Sequence, residues 1–453
     1  MDETSRQNNV YEVLRDRGFL YQSTDDEGLS ARLTTAPRTC YIGFDPTADS
    51  LHIGSLVPIM ALKHMQRHGH RVIALVGGGT ALVGDPSGKS ELRQVLDPDS
   101  IAHNTRQIGA QLARYLQFDH PNESVTPAGR QIIPATLLDN ATWLTDLSYI
   151  GFLRDIGRHF SVNRMLTAES YRARLETGLT FLEFNYMLLQ AYDFMVLLRD
   201  YDCEIQMGGQ DQWGNIVAGS DLCRRVLGRQ AFGCTFPLLL NPSGEKFGKT
   251  AAGTGVWLAP ERTSPFEFYQ FWRNVEDAEV ERLLGLFTLL PMEEVRRLAG
   301  TAAPPAEPVN LNRAKEILAF EATRLCHGRQ EAREAFLAAT ETFGAADPSG
   351  LIDTSSTVPT APLPSEARLP TTEIPLSRLD DGLTVAAAFV LAGLAASNGQ
   401  AKKLAKQGGA HLNDQRVQDA VRALTRADFP DGSATLRAGK KRYHRLVLVG
   451  EPA

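Results

Sequence analysis

Cysteine is scarce in this chain of 453 residues, with five in all: Cys40, Cys203, Cys223, Cys234 and Cys326. They are scattered, odd in number and free of any Cys-x-x-Cys, which argues against a disulfide framework or a thiolate zinc site and for a reducing, cytoplasmic setting. Long apolar runs are missing too. The longest, Ala386 to Ala396, is too short to cross a bilayer, so no membrane role is expected. The start, Met1-Asp2-Glu3-Thr4, is acidic and polar, unlike a secretory signal or a transit peptide. Internal repeats and low-complexity tracts are absent. Histidines cluster only at His64, His68 and His70, where an i, i+4 pair without a third ligand reads as solvated side chains. No structural metal is expected.

The charge that is present is unevenly spread. The chain carries −6 overall, but from Leu383 to Ala453 eleven Lys/Arg face five Asp/Glu, leaving +6 there and −12 before it. A basic module on an acidic body suggests a polyanion partner at the C-terminal end, the plain alternative being a solvated charged face.

Length implies two to four domains. The first half alternates β-branched runs with amphipathic helices, the pattern of an α/β parallel sheet covered on both faces. Strands are expected at Arg38–Gly43, Arg71–Val76, Cys203–Gly208 and Phe236–Asn241, with Leu51–Arg67 a crossover helix and Asp119–Phe160 an excursion from the sheet. Helical periodicity dominates Ser264–Gly344, with stops at Leu290-Pro291 and near Pro304-Pro305. Ala345–Pro375, rich in Pro, Ser and Thr, reads as a linker. The expected domains are 1–245 (Rossmann-like, with an insertion at 119–160), 246–344 (helical), a linker to 380, and a small α+β module at 381–453.

Two segments carry the chemistry. Tyr41 to Ser55 reads Tyr-Ile-Gly-Phe-Asp-Pro-Thr-Ala-Asp-Ser-Leu-His-Ile-Gly-Ser, a strand that turns at Asp45-Pro46 into a helix start. Lys246 to Thr250 reads Lys-Phe-Gly-Lys-Thr, a loop offering two cations and a hydroxyl. Both make sense against one polyphosphate. A helix N-terminus presents unpaired N–H groups and partial positive charge. Gly54 would let a nucleotide lie close, His52 can donate to a phosphate oxygen, and Lys246 and Lys249 would stabilise charge that develops as a bond breaks.

This pair resembles the two signature motifs of class I aminoacyl-tRNA synthetases, and the extended first motif resembles that of the bacterial tyrosyl-tRNA synthetases. The resemblance runs from about Val10 to the C-terminus and departs at Ser55, where His or Asn is usual. It implies ATP as a substrate carrying its own Mg2+, tyrosine and tRNA(Tyr) as the other substrates, a cytoplasmic homodimer with its interface in the 119–160 segment, and no DNA partner. It assigns Gly43, Asp45, Gly54 and Ser55 to ATP, and groups Thr47 and Thr250 with His52, Lys246 and Lys249 at the phosphates.

Tyr186, Gln190 and Asp193 fall within roughly 60° of one another on the expected helix Thr180–Leu198. A polar stripe there faces either water or a bound polar group. By the resemblance, Asp193 and Tyr41 bind the substrate phenol, while Tyr186, Gln190 and Asp85 receive its ammonium group. The run Gly84-Asp85-Pro86-Ser87-Gly88-Lys89-Ser90 fails as a P-loop because Val83 replaces the first glycine. A dinucleotide fingerprint from Gly77 fails at Leu82. The alternative is a loop at the strand ends with Asp85 inward. Lys89 and Arg93 match loop residues near the leaving pyrophosphate, or are ordinary exposed cations. Gly208 to Asn215 reads as a strand end and capped helix start. There the resemblance sets Gly209 and Asp211 on the ribose and Gln212 near the tyrosine carboxylate.

In the terminal module Lys402, Lys403, Lys406, Lys440, Lys441 and Arg442 gather near one face, resembling a small RNA-binding domain shared with a ribosomal protein. Such cations position RNA more than they read it. The competing readings are a tryptophanyl-tRNA synthetase, a nucleotidylyltransferase with the same histidine motif, and a non-catalytic RNA-binding paralogue.

Overall fold

The computed structural model describes residues 9–87, 97–119, 125, 129, 131–175, 178–240, 247–248, 255–302, 309–348, 350–359, 370–413, 415–439 and 442–449. Two compact units emerge: Met1–Thr263 with Ala278–Ala306, and Ser264–Asp277 with Glu307–Ala453.

The first unit is built on a six-stranded sheet ordered β1-β6-β5-β2-β3-β4. Its strands are β1 (Gln22–Ser23), β2 (Thr39–Phe44), β3 (Arg71–Val76), β4 (Thr136–Asp139), β5 (Cys203–Gly209) and β6 (Phe232–Phe236). β1 runs antiparallel to β6, and the other pairings are parallel. β2, β3 and β5 are almost wholly buried, as expected of a sheet covered on both faces; β3 is a continuous apolar run, while β5 buries Glu204 and Gln206 as well. The covering helices include α1 (Leu56–Arg67), α2 (Pro98–Leu112), α3 (Tyr186–Tyr201) and α4 (Trp213–Leu227). Ala191, Phe194, Leu197 and Leu198 of α3 close a core over Tyr41 and Ile73. Each of the larger side chains, Phe194, Leu197 and Leu198, contributes about 1.5–3 kcal/mol by leaving water.

Several elements depart from the sequence expectation. The fourth strand is Phe232–Phe236, four residues earlier than expected. Pro237 has no N–H for the ladder, so a strand cannot continue through it. The 119–160 segment does not leave the sheet altogether, because β4 within it pairs with β3. The crossover helix begins at Leu56, after a 3-10 turn at Ile53–Ser55. Leu51 and Ile53 are instead tied to 256–258, with Ile53 N–H donating to Val256 O and Leu258 N–H to Leu51 O. The helix expected at Thr180–Leu198 is two helices, Phe181–Phe184 and α3, divided at Asn185. Thr180 and Glu183 form a reciprocal cap on the first. The Tyr171 hydroxyl bridges the break, donating to Phe184 O at 2.8 Å and accepting from Met187 N–H at 3.2 Å. His64 and His70 are buried rather than solvated, at 3% and 1% exposure. His64 packs edge-on to Phe19, and His70 Nδ1 accepts from Arg38 N–H.

Residues 278–306 belong to the first unit although their periodicity matches the helices on either side. The buried Arg17 guanidinium accounts for this, donating to the carbonyls of Gly285, Thr288 and Leu290 at the end of the helix Val280–Phe287.

The second unit holds helices α5 (Pro265–Arg273), α6 (Leu311–His327) and α7 (Arg329–Phe343), then a small mixed sheet. That sheet is ordered β7-β11-β10-β8-β9, from β7 (Thr371–Pro375), β8 (Ala410–Leu412), β9 (Gln415–Arg416), β10 (Ser433–Ala438) and β11 (Arg442–Val449). With α8 (Val385–Leu391) and α9 (Asn398–Lys406) it encloses a separate apolar core around Phe389, Leu436 and Leu446. The expected linker is shorter than 345–380. At one end Val358 is buried, and Pro359 O and Asp347 engage the buried Arg313. At the other, β7 joins the small sheet.

Candidate active site

Strand order reverses between the parallel neighbours β2 and β5, since β3 and β4 extend to one side and β6 to the other. Open α/β sheets bind ligands at the carboxyl ends beside such a switch point. Here those ends are Gly43-Phe44-Asp45 and Gly208-Gly209-Gln210-Asp211. Among the described residues, a Cβ at Gly43 would meet nothing within 4 Å, so they leave the space beside this strand end open.

Asp193 on α3 is 2% exposed. Its two oxygens accept from Asn140 Nδ2 at 2.9 Å and Trp143 Nε1 at 2.7 Å. Burial raises its pKa to about 7, against the pull of those two donors. Tyr41, on β2, is buried with its ring 5.4 Å from Phe194. Its hydroxyl has no hydrogen-bond partner among the described residues, and burial together with the Asp193 charge pushes its pKa well up. A buried hydroxyl without an acceptor costs roughly 1–3 kcal/mol. Such a cost is tolerated where a ligand completes the bond.

A second polar chain links four elements. Asp85 accepts from Ser87 N–H at 2.8 Å and from Gln212 Nε2 at 2.7 Å. Asn215 Nδ2 donates to both Gln212 Oε1 and Gln190 Oε1 at 3.0 Å. Asp85, Gln190 and Gln212, distant in sequence, therefore meet, and Asp85 does point inward at 9% exposure.

Asp45 closes the β2 end. The Tyr186 hydroxyl lies 3.4 Å from each of its oxygens and Thr80 Oγ1 lies 3.4 Å from Oδ1. Thr47 N–H bonds Asp45 O, and Asn104 Nδ2 holds Pro46 O at 3.0 Å, which fixes the turn.

His52 caps the 3-10 turn: Gly54 N–H donates to Nδ1 at 3.0 Å. In the neutral ring this places the proton on Nε2, which is thereby a donor. A Cβ at Gly54 would lie 2.7 Å from His52 Cε1, so glycine here leaves room for the imidazole. The ring stands edge-on to Trp257 at 6.4 Å. Ser55 N–H bonds His52 O, with no capping bond from the Ser55 side chain. At the β5 end, Gly209 makes room for Asp211, whose Oδ1 would lie 2.5 Å from an added Cβ.

The second signature segment reaches the first through its glycine. Gly248, at φ +95°, lies so close to Ile53 that a Cβ would stand 2.2 Å from Ile53 Cγ2, and its carbonyl accepts from Val256 N–H. Lys246, Lys249, Thr250, Lys89 and Arg93 lie outside the described residues. So do Lys440 and Lys441. In the second unit Lys402, Lys403 and Lys406 are exposed on α9, while exposed Arg442 donates to Leu394 O at 2.6 Å.

Asn140, Trp143, Thr80 and Asn215 were not expected from sequence. Asn140 and Trp143 sit in the segment read as leaving the sheet. Thr80 follows three glycines that draw attention to phosphate motifs. Asn215 alone had a signal, lying on the helix start after Gly209.

The parallel sheet, the His52 turn after β2 and the Gly248 segment against it make up the activating domain of a class I aminoacyl-tRNA synthetase. The family described as tRNA synthetases class I (W and Y) matches residues 33–344, and the tyrosine–tRNA ligase SYY-like C-terminal domain matches 367–446. A tyrosine–tRNA ligase of Desulfosudis oleivorans is 52% identical over 450 residues, covering 97% of this chain and 99% of the relative. One from Clostridium tetani is 46% identical, again over 97% and 99%. A C-terminally truncated mitochondrial tyrosyl-tRNA synthetase of Aspergillus nidulans superposes with a TM-score of 0.64 at 29% identity, covering 74% of this chain and 94% of that one. The chain belongs to the tyrosyl-tRNA synthetase family.

Proposed function

We propose that the chain is a tyrosine–tRNA ligase, which activates tyrosine with ATP and passes it to the terminal ribose of tRNA(Tyr). The observation that carries the amino-acid choice is the buried, unpartnered Tyr41 hydroxyl near the Asp193 carboxylate. A phenol between them can donate to Asp193 and accept from Tyr41. Phenylalanine would leave the Tyr41 hydroxyl unsatisfied and Asp193 with only its two protein donors, a penalty large enough for discrimination.

The tyrosine carboxylate attacks the α-phosphate of ATP, forming the mixed anhydride and releasing pyrophosphate, with no protein nucleophile. Catalysis is then positioning and charge stabilisation. Asp85, Tyr186 and Gln190 receive the ammonium group, and Gln212 approaches the carboxylate. Gly43, Asp45, Gly209 and Asp211 accept the nucleotide, with Ser55 near its base. His52 Nε2–H, Thr47, Lys89, Arg93, Lys246, Lys249 and Thr250 face the phosphates, and Mg2+ arrives on ATP. The Gly248–Ile53 approach supports a lysine loop next to the histidine turn.

The helical part of 246–344 would serve anticodon recognition, and the C-terminal module, with Lys402, Lys403, Lys406, Lys440, Lys441 and Arg442, would hold tRNA backbone. Its separate apolar core supports treating it as a domain. Exposed Tyr149 and Ile150, at 59% and 71%, support a homodimer through the 119–160 segment. The five free cysteines support a cytoplasmic setting. Charging of tRNA(Tyr) with labelled tyrosine but not labelled tryptophan is the expected result. Tryptophan charging, or none, would overturn the assignment.

A further inference from the structure

Asn140 is 1% exposed and makes four hydrogen bonds with one planar amide. Nδ2 donates to Asp193 Oδ2 at 2.9 Å and to Thr80 Oγ1 at 3.0 Å. Oδ1 accepts from Gly79 N–H at 2.8 Å and Thr80 N–H at 3.4 Å. The amide cannot be reversed, because backbone N–H groups only donate and would then face another donor. Thr80 Oγ1, having accepted from Asn140, has one hydrogen left. Two acceptors compete for it at nearly equal distance: Asp45 Oδ1 at 3.4 Å and Gly77 O at 3.3 Å. Glycine at 77 permits this crowding, since a Cβ there would lie 2.4 Å from Thr80 Oγ1 and 2.5 Å from Asp45 Oδ1.

We propose that Asn140 is a positioning residue that couples amino-acid binding at Asp193 to nucleotide binding at Asp45, with Thr80 as the intermediate link. The inference rests on the proposed tyrosine and ATP sites. A phenol bound at Asp193 fixes that carboxylate and the amide that donates to it. The amide in turn holds Gly79 and Thr80, so the loop after β3 is already ordered when the nucleotide reaches Asp45. Hydrogen bonds in such a buried chain polarise one another. The second ligand then meets a site whose ordering the first has already brought about. Linkage makes the effect reciprocal.

The test is the tyrosine dissociation constant of the full-length protein, measured by equilibrium dialysis with and without a non-hydrolysable ATP analogue. In the wild type the analogue should tighten tyrosine binding about fivefold or more, the lower end of ordinary coupling. Thr80→Val, which keeps the shape and removes the hydroxyl, should bring that ratio near one; the ratio rather than the absolute tyrosine affinity is the readout, because Asn140 Nδ2 also loses its acceptor on Thr80. Thr80→Ser should restore the ratio. Asn140→Ala should abolish it and also weaken tyrosine binding. A wild-type ratio of one, or a full ratio in either Thr80→Val or Asn140→Ala, overturns the coupling. A wild type that binds no tyrosine in either condition overturns the amino-acid assignment, and this inference with it.

Discussion

Trp143 donates its indole N–H to Asp193 at 2.7 Å across fifty positions of sequence, so a carboxylate that burial drives toward neutrality is held by neutral donors. That balance has a consequence for stability. Ionising Asp193 is harder in the folded protein than in the unfolded chain, where an ordinary Asp titrates near 4. Below that pH both states are protonated and the group contributes nothing. Between about 4 and about 7 the unfolded chain gives up its proton and the folded protein keeps it, so stability falls as pH rises. Asp193→Asn removes this dependence. The stability of the variant relative to wild type should therefore rise with pH across that window and level off above it. Denaturant melts of the ligand-free proteins at several pH values check the slope, and a flat difference would contradict the raised pKa.

Tyr41→Phe should separate stability from activity. Loss of an unpartnered buried hydroxyl should leave the ligand-free fold as stable as wild type or about 1 kcal/mol more stable. Tyrosine activation should weaken by about 1 kcal/mol in kcat/KM while phenylalanine activation is unchanged. A variant that is destabilised and keeps its discrimination would mean the hydroxyl serves the fold.

Gly54→Ala addresses the histidine turn. The added methyl collides with the His52 ring and should displace it from its bond with Gly54 N–H. Adenylate formation should slow by about 2–4 kcal/mol of barrier, as for His52→Ala, because the same donor is misplaced. Tyrosine affinity should hardly change. Stopped-flow tryptophan fluorescence with tyrosine and ATP separates the two effects, and a rate that survives would remove His52 from the phosphates.

Sequence legibility followed the range of the forces involved. β3 was readable because Val72 to Val76 is a continuous apolar run buried on both faces. The switch-point ends were readable because turn chemistry, Asp45-Pro46 after one apolar run and Gly208-Gly209 after the other, interrupts the strands there. What escaped depended on distant partners. The break at Asn185 interrupts an unbroken helical period and is held by Tyr171, fourteen positions upstream. β6 was misplaced because the apolar run continues past Pro237, where the backbone cannot. Asn140 and Trp143 are ordinary residues until β4 brings their segment to the sheet edge and they reach Asp193. The burial of His64 and His70 depends on Phe19 and on the Arg38 backbone N–H, partners distant in sequence that no local pattern announces.

The proposed tRNA site includes the exposed lysines of α9. Replacing Lys402, Lys403 and Lys406 together by Ala should lower the slope of log affinity against log salt by about 2–3, one phosphate contact for each cation. Tyrosine activation needs no tRNA and should be unaffected. Filter binding across a salt series gives the slope, and an unchanged slope would place the tRNA backbone elsewhere.

Amino-acid-dependent ATP–pyrophosphate exchange tests the central claim most directly, because it reads activation by the Asp193–Tyr41 pocket without involving tRNA. Tyrosine should support rapid exchange, phenylalanine and tryptophan almost none, and Asp193→Ala should remove the preference for tyrosine. Exchange driven by tryptophan, or equally by tyrosine and phenylalanine in the wild type, would contradict a pocket built around a phenol.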